Sequence, residues 1–425
     1  MRERRTGPYA ILHNRDFVLY LTGRFIASFG QQMLEVAVGW EVYERTHSAL
    51  ALGLVGLMIF LPMVLMTLPA GHVADTRERK KVIVAMQSLL AMTSLGLALI
   101  SWQQSPVLWV YVCLFISGVA RTFLWAASAS FLPQLVARSE FPLAVTWSSS
   151  TFQTSAIVGP AAGGALIALT HSALGVYLFN TTATVVCVAL ISLVAIHNPA
   201  SSKERFSMET MFGGFRFVFN HRVILGTITL DLFAVLFGGA TALLPIYSKD
   251  ILHAGPKGLG LLRAAMPVGS VLCAFLLAHR PPMQHAGRSL IIAVIVFGLA
   301  TIGFGYSTSF WLSMLMLFIC GFADNISVIV RHTLVQLLTP DSMRGRVSSV
   351  NNLFIGTSNE LGGFESGLVS QYLGPLVSVV SGGIATIIVV AAVAWKWPEI
   401  PRFGCLVQPE PIKPVPDAAT VPPSH

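Results

Sequence analysis

Four polar residues share one face of a long apolar run near the N-terminus. Arg24, Ser28, Gln31 and Glu35 follow one another at steps of four, three and four, and such steps return to the same side of a helix. One helix would thus carry a guanidinium, a hydroxyl, an amide and a carboxylate in a stripe. Other charges interrupt apolar runs further along: Arg121 in "SGVARTFLWAA", Asp231 in "ITLDLFAV", Asp324 and Arg331 on one face, then Glu360 and Glu365. Asn351 and Ser358 lie on the face of Glu365. A carboxyl that is desolvated when protonated, and loses its proton to a nearby arginine, can couple proton flow to movement. Glu35, Asp231, Asp324 and Glu365 are the candidate acids, with Arg24 and Arg121 as the cations. Gln31, Ser28, Trp125, Thr151, Arg331, Asn351 and Ser358 are the candidates for lining a substrate cavity. The competing use of each acid is a structural ion pair or a position shallow enough to snorkel.

Enzymatic chemistry has little support. No HExxH, GxSxG or CxxC occurs, and His332, the one deep histidine, has no nucleophile beside it. The five cysteines are odd in number and four lie in apolar runs, which argues against a disulfide framework or a metal site. No cofactor is expected, and no ATP-binding loop is present, so energy must come from a gradient or from a partner. A channel or receptor would not need the duplicated halves described below.

Those residues must be held by elements that live in lipid. The chain has 425 residues, 54% hydrophobic and 11% charged, against about 25% charged in soluble domains. A bilayer core of about 30 Å takes roughly 20 apolar residues per helix. Twelve such runs can be placed, from Phe17–Val42 to Pro375–Trp395. They divide into a bundle over 1–196, a linker over 197–222, a second bundle over 223–396 and a Pro-rich tail over 397–425, expected to be disordered. The net charge of +8 does not indicate nucleic acid, because the basic residues sit in short connections. With the N-terminus inside, the inner connections hold 20 Lys and Arg and the outer ones hold Arg45, Lys249 and Lys257. The positive-inside rule then predicts both ends in the cytoplasm.

The halves echo each other: "QLVARSEFPLAV" from Gln134 aligns with "QLLTPDSMRGRV" from Gln336, a shift of 202 residues. A six-plus-six repeat suits a carrier whose halves rock about a midplane site.

The segment "GHVADTRERKK" (Gly71–Lys81) adds an acid and a glycine to what would otherwise be a basic anchor. With Gly71, Asp75, Arg79 and Lys80 in register, it resembles the loop between the second and third helices of the major facilitator superfamily. Thr76 and Glu78 depart from that pattern. The resemblance implies an all-α fold of twelve transmembrane helices in two pseudo-symmetric bundles, and a loop whose contacts lock one closed state. "GPAAGG" (Gly159, Pro160, Gly163, Gly164) is similar to the helix-kink motif of exporting, antiporter-type members, although Thr151 and Ser155 replace upstream glycines. The order of loops looks most like the multidrug and enterobactin-exporter branch. That implies a monomeric carrier of the bacterial inner membrane that exports amphipathic small molecules in exchange for protons. Lipid flipping or uptake on the same fold is the alternative.

Overall fold

The computed structural model describes residues 9–195, 208–281, 283–340 and 343–404. Among these the chain is helical, with no strand. The first six helices are α1 (Arg15–Thr46), α2 (Ala49–Thr76), α3 (Arg79–Gln103), α4 (Leu108–Leu135), α5 (Phe141–Thr170) and α6 (Leu174–Ser192). A linker helix, α7 (Met208–Asn220), leads to the second six. These are α8 (Arg222–Ile251), α9 (Gly255–Ala278), α10 (Ala286–Tyr306), α11 (Phe310–Leu338), α12 (Arg344–Leu373) and α13 (Pro375–Lys396). Ten of the twelve long helices are apolar enough to cross a membrane by composition. The other two, α1 and α12, match them in length at 32 and 30 residues. They fall short because they carry Arg24, Glu35, Glu360 and Glu365, polar residues that lipid would not tolerate on an exposed face.

Local chemistry sets the helix ends. Asn14 caps α1 by accepting from the amides of Asp16 (3.1 Å) and Phe17 (3.2 Å), and its Nδ2 donates to the Leu135 carbonyl at the end of α4 (2.8 Å). Lys80 donates to the carbonyls of Ser192 (2.8 Å) and Val194 (2.7 Å), placing a cation where α6 leaves its acceptors unpaired. The segment Gly71–Lys81 is therefore mostly helix. Only Arg77 and Glu78 lie between α2 and α3.

Two features of the linker and tail differ from expectation. Residues 196–207 of the linker and 405–425 of the tail lie outside the described residues. Within the linker, α7 buries Val218 and packs Phe215 and Phe217 against α8, α11 and α12. The tail stays packed past residue 396: Ile400 is buried, and the carbonyls of Phe403 and Gly404 accept from the first amides of α10 at 3.2 and 3.1 Å. Those amides have no partner inside their own helix, which is why the chain ordered there is worth more than free tail.

The halves meet along two related seams, α2 with α12 and α5 with α9. At the end opposite the α2–α3 turn they are closed. There Lys249 Nζ lies 2.8 Å from Glu44, Tyr43 donates to Asp250, and Ser48 donates to Gln371 at 2.9 Å. At the end carrying the α2–α3 turn, a cavity of about 630 Å³ separates them.

Candidate functional site

The cavity runs from Gly71, Asp75, Phe215 and Val350 near the α2–α3 turn up to Glu35, Arg121 and Glu360 at its closed apex. Three helices from two halves meet on one carboxylate there. Glu35 Oε1 lies 3.3 Å from Arg121 Nη2 on α4, and Glu35 Oε2 lies 2.9 Å from Arg263 Nη2 on α9. Glu35 and Arg121 belong to the first half and Arg263 to the second, so this carboxylate ties the halves together. Glu360 of α12 stands beside Gly56 of α2, within electrostatic reach of all three. Two acids and two arginines thus balance at the apex.

The glycines of "GPAAGG" make this geometry possible. A Cβ on Gly159 would come 2.6 Å from Gln32 Cβ, and one on Gly163 would come 2.9 Å from Met33 Cα. These two positions let α5 lie flat against α1 just below Glu35. Gly164 and Pro160 face the other way, onto Pro256 and Gly260 of α9. The motif packs α5 against its own half on one side and against the opposite half on the other.

Nine of the residues named from sequence line the cavity: Arg24, Ser28, Gln31, Glu35, Gly71, Asp75, Arg121, Trp125 and Glu360. Arg24 and Glu35 do share a face, but eleven residues at about 1.5 Å each put them roughly 16 Å apart along α1. They cannot pair, and the partners of Glu35 come from other helices. Arg331 does not line the cavity. It is paired with Asp231, with side chains only 2% and 7% exposed. Removing one partner of a sealed pair typically costs roughly 3–5 kcal/mol, so this one holds α11 to α8. Glu35, Arg121 and Arg263 are 23%, 37% and 31% exposed, and that access is what a proton or substrate needs.

The other candidates sit away from the cavity in this state. Thr151 donates to the Ser148 carbonyl and Ser358 to the Ile355 carbonyl, each 2.9 Å away. Asn351 is buried, and Glu365 accepts from Ser366 at 3.4 Å. Asp324 is half-buried and, among the described residues, has no ion-pair partner. Arg79 donates to the Ser130 carbonyl at 3.4 Å. Arg263 goes unflagged at the sequence level, although an arginine inside "GLLRAAMP" is as conspicuous as Arg24. Among the described residues no cluster of His, Cys, Asp and Glu could hold a metal.

Comparison with known proteins agrees with this architecture. The chain is 26% identical to the enterobactin exporter EntS of Citrobacter koseri over 401 residues, 93% of this chain and 94% of that one. It is 24% identical to the same exporter of Escherichia coli over 385 residues, 89% and 91% of the two chains. Among solved structures, a bacterial homolog of the human lysosomal transporter Spinster superposes with a TM-score of 0.70 at 16% identity, covering 92% and 97%. The nucleoside transporter NupG gives 0.71 at 15% identity, covering 89% and 98%. The family model for transmembrane secretion effectors matches residues 6–406. The chain belongs to the transmembrane secretion effector family and has the major facilitator fold; it is a membrane transporter, not an enzyme.

Proposed function

We propose that the protein exports amphipathic small molecules across the bacterial inner membrane by alternating access, driven by proton influx. The observation that carries the coupling is Glu35 held between Arg121 of its own half and Arg263 of the other. When the halves rock to open the opposite end, Arg263 is drawn away and the carboxylate can exchange it for a proton. When they rock back, the guanidinium returns and displaces the proton toward the cavity. Substrate moving the opposite way completes the cycle. The similarity to enterobactin exporters supports the outward direction. Inside-out vesicles with an acidified lumen should accumulate at least one amphipathic dye or siderophore and release it when the gradient collapses. Accumulation that ignores the gradient, or no accumulation across dyes, siderophores and lysolipids, would reject the reading.

We place the α2–α3 turn and both termini in the cytoplasm, on the strength of the basic residues at that end. Single cysteines at Ser105, Ser172 and Thr308 should then react with an impermeant thiol reagent applied to intact cells. One at Ser202 should not, and labelling there would reverse the orientation.

Asp75 lines the cavity mouth in this open state. Its proposed work is to help hold the mouth when closed. Asp75→Asn should insert normally yet slow transport about three- to tenfold, and Arg79→Ala should behave similarly. That size corresponds to a contact of order 1 kcal/mol, a usual charge-assisted bond net of solvation. Normal transport by both variants would leave this segment as an anchor only.

A further inference from the structure

Among the described residues, Arg24 is the one cavity-lining cation that the ion pairs at the apex do not explain. It lies near the mouth, and among the described residues it has neither a hydrogen bond nor an ion pair. Its depth is fixed by its neighbours. Gly23 packs on Cys187 of α6, and Gly30 packs on Asn180. Asn180 donates to Ser94 of α3 at 3.1 Å. Gln87, two turns before Ser94 on α3, therefore sits at the level of Arg24. Gln87 is only 2% exposed, lines the same cavity, and has no hydrogen-bond partner among the described residues. A guanidinium on α1 and a buried amide on α3, at about the same depth on the lining of one cavity, have no acceptor among the described residues. Gln87 is nearly sealed and Arg24 partly exposed, so both present donors to the cavity that an oxyanion bound there can take up. Trp125 and Phe152 also line the cavity, each more than half exposed. Ser155, one turn along α5 from Phe152, donates to the Phe25 carbonyl at 3.5 Å, which sets Phe152 at the depth of Arg24.

We infer that Arg24 and Gln87 form an oxyanion subsite of the transport cavity, selecting substrates that join a carboxylate or phosphate to an aromatic or apolar body. A planar guanidinium accepts either oxyanion in two-point contact, and Gln87 adds a neutral donor that needs no counter-charge. Trp125 and Phe152 take the apolar body. The inference rests on the transporter reading and adds the substrate class to it.

Binding can be measured without turnover, using the full chain in nanodiscs and titration calorimetry. Naphthylacetate and naphthyl phosphate should bind at least tenfold more tightly than the neutral naphthylacetamide, and inorganic phosphate alone at least tenfold more weakly than naphthyl phosphate. Arg24→Gln should erase the preference for the anions while leaving naphthylacetamide unchanged. Arg24→Lys should keep most of it, because the charge remains. A thermal unfolding midpoint within a few degrees of the parent shows that each variant is folded. Equal binding of all three aryl probes, no binding of any, or an Arg24→Gln loss that is uniform across them would overturn the subsite. Inorganic phosphate binding as tightly as naphthyl phosphate would overturn its amphipathic character. Anion-selective binding in a protein that moves nothing across a vesicle membrane would instead reject the transporter reading and leave the subsite standing.

Discussion

Glu35→Gln should abolish substrate accumulation driven by a pH gradient, lowering it at least tenfold, while exchange of labelled for unlabelled substrate continues. The side chain keeps its size and an oxygen for Arg121 and Arg263, 3.3 and 2.9 Å away in the parent, but it no longer titrates. Losing the charge also removes the electrostatic tie across the halves, so rocking should proceed without waiting for a proton. Arg263→Gln tests the same device from the other side. It deprives Glu35 of the partner that departs and returns, leaving Arg121 as a permanent counter-ion within one half. That variant should bind substrate but respond weakly to the gradient, again by about tenfold or more. Measuring flux at several lumen pH values separates the two ideas: the parent should gain with acid, and both variants should be nearly flat. An acid-driven gain in Glu35→Gln equal to the parent's would remove Glu35 from the coupling path and make Asp324→Asn the next variant to assay.

The fold was largely legible because lipid leaves a chain few options. Runs of about 20 apolar residues must be helices, and charge in their connections orients them. The same physics exposed Arg24, Glu35 and Arg121, since a charge within an apolar run demands a reason. Partnership was not legible. Spacing along α1 places Arg24 and Glu35 on one face but says nothing of Arg263, which reaches Glu35 from the other half of the chain. The α12 acids show the same limit. Glu360 and Glu365 are five residues apart, about 140° around a helix, so only one of them can face the cavity. Which one does depends on α2 and α8 packing on the other sides of α12, and no local pattern records that. By sequence Asp231 and Arg331 pass for working charges, because depth in an apolar run does not distinguish a sealed pair from an accessible one. Their exposures of 7% and 2%, against 23% for Glu35, make that distinction.

The seam between α5 and α9 bears the second large effect. Gly260 packs on the carbonyl of Pro160, and Gly164 packs on the carbonyl of Pro256, so each helix offers a glycine to the backbone of the other. No side chain fits there while that end is closed. Gly260→Val should hold the halves apart at the end opposite the α2–α3 turn and bias the carrier against the state seen here. Transport should fall more than tenfold, because a carrier that cannot close one end cannot complete a cycle. The bias has a direction that a simple folding defect lacks. A cysteine at Ser28, which lines the cavity in the present state, should label more slowly from the α2–α3 side in Gly260→Val and faster from the other. Gly260→Ala, adding one methyl group, should shift both rates the same way by less. A valine variant that inserts, stays folded and labels like the parent would show that the seam closes without this close approach. The contact between glycines would then be packing without a part in the transport cycle.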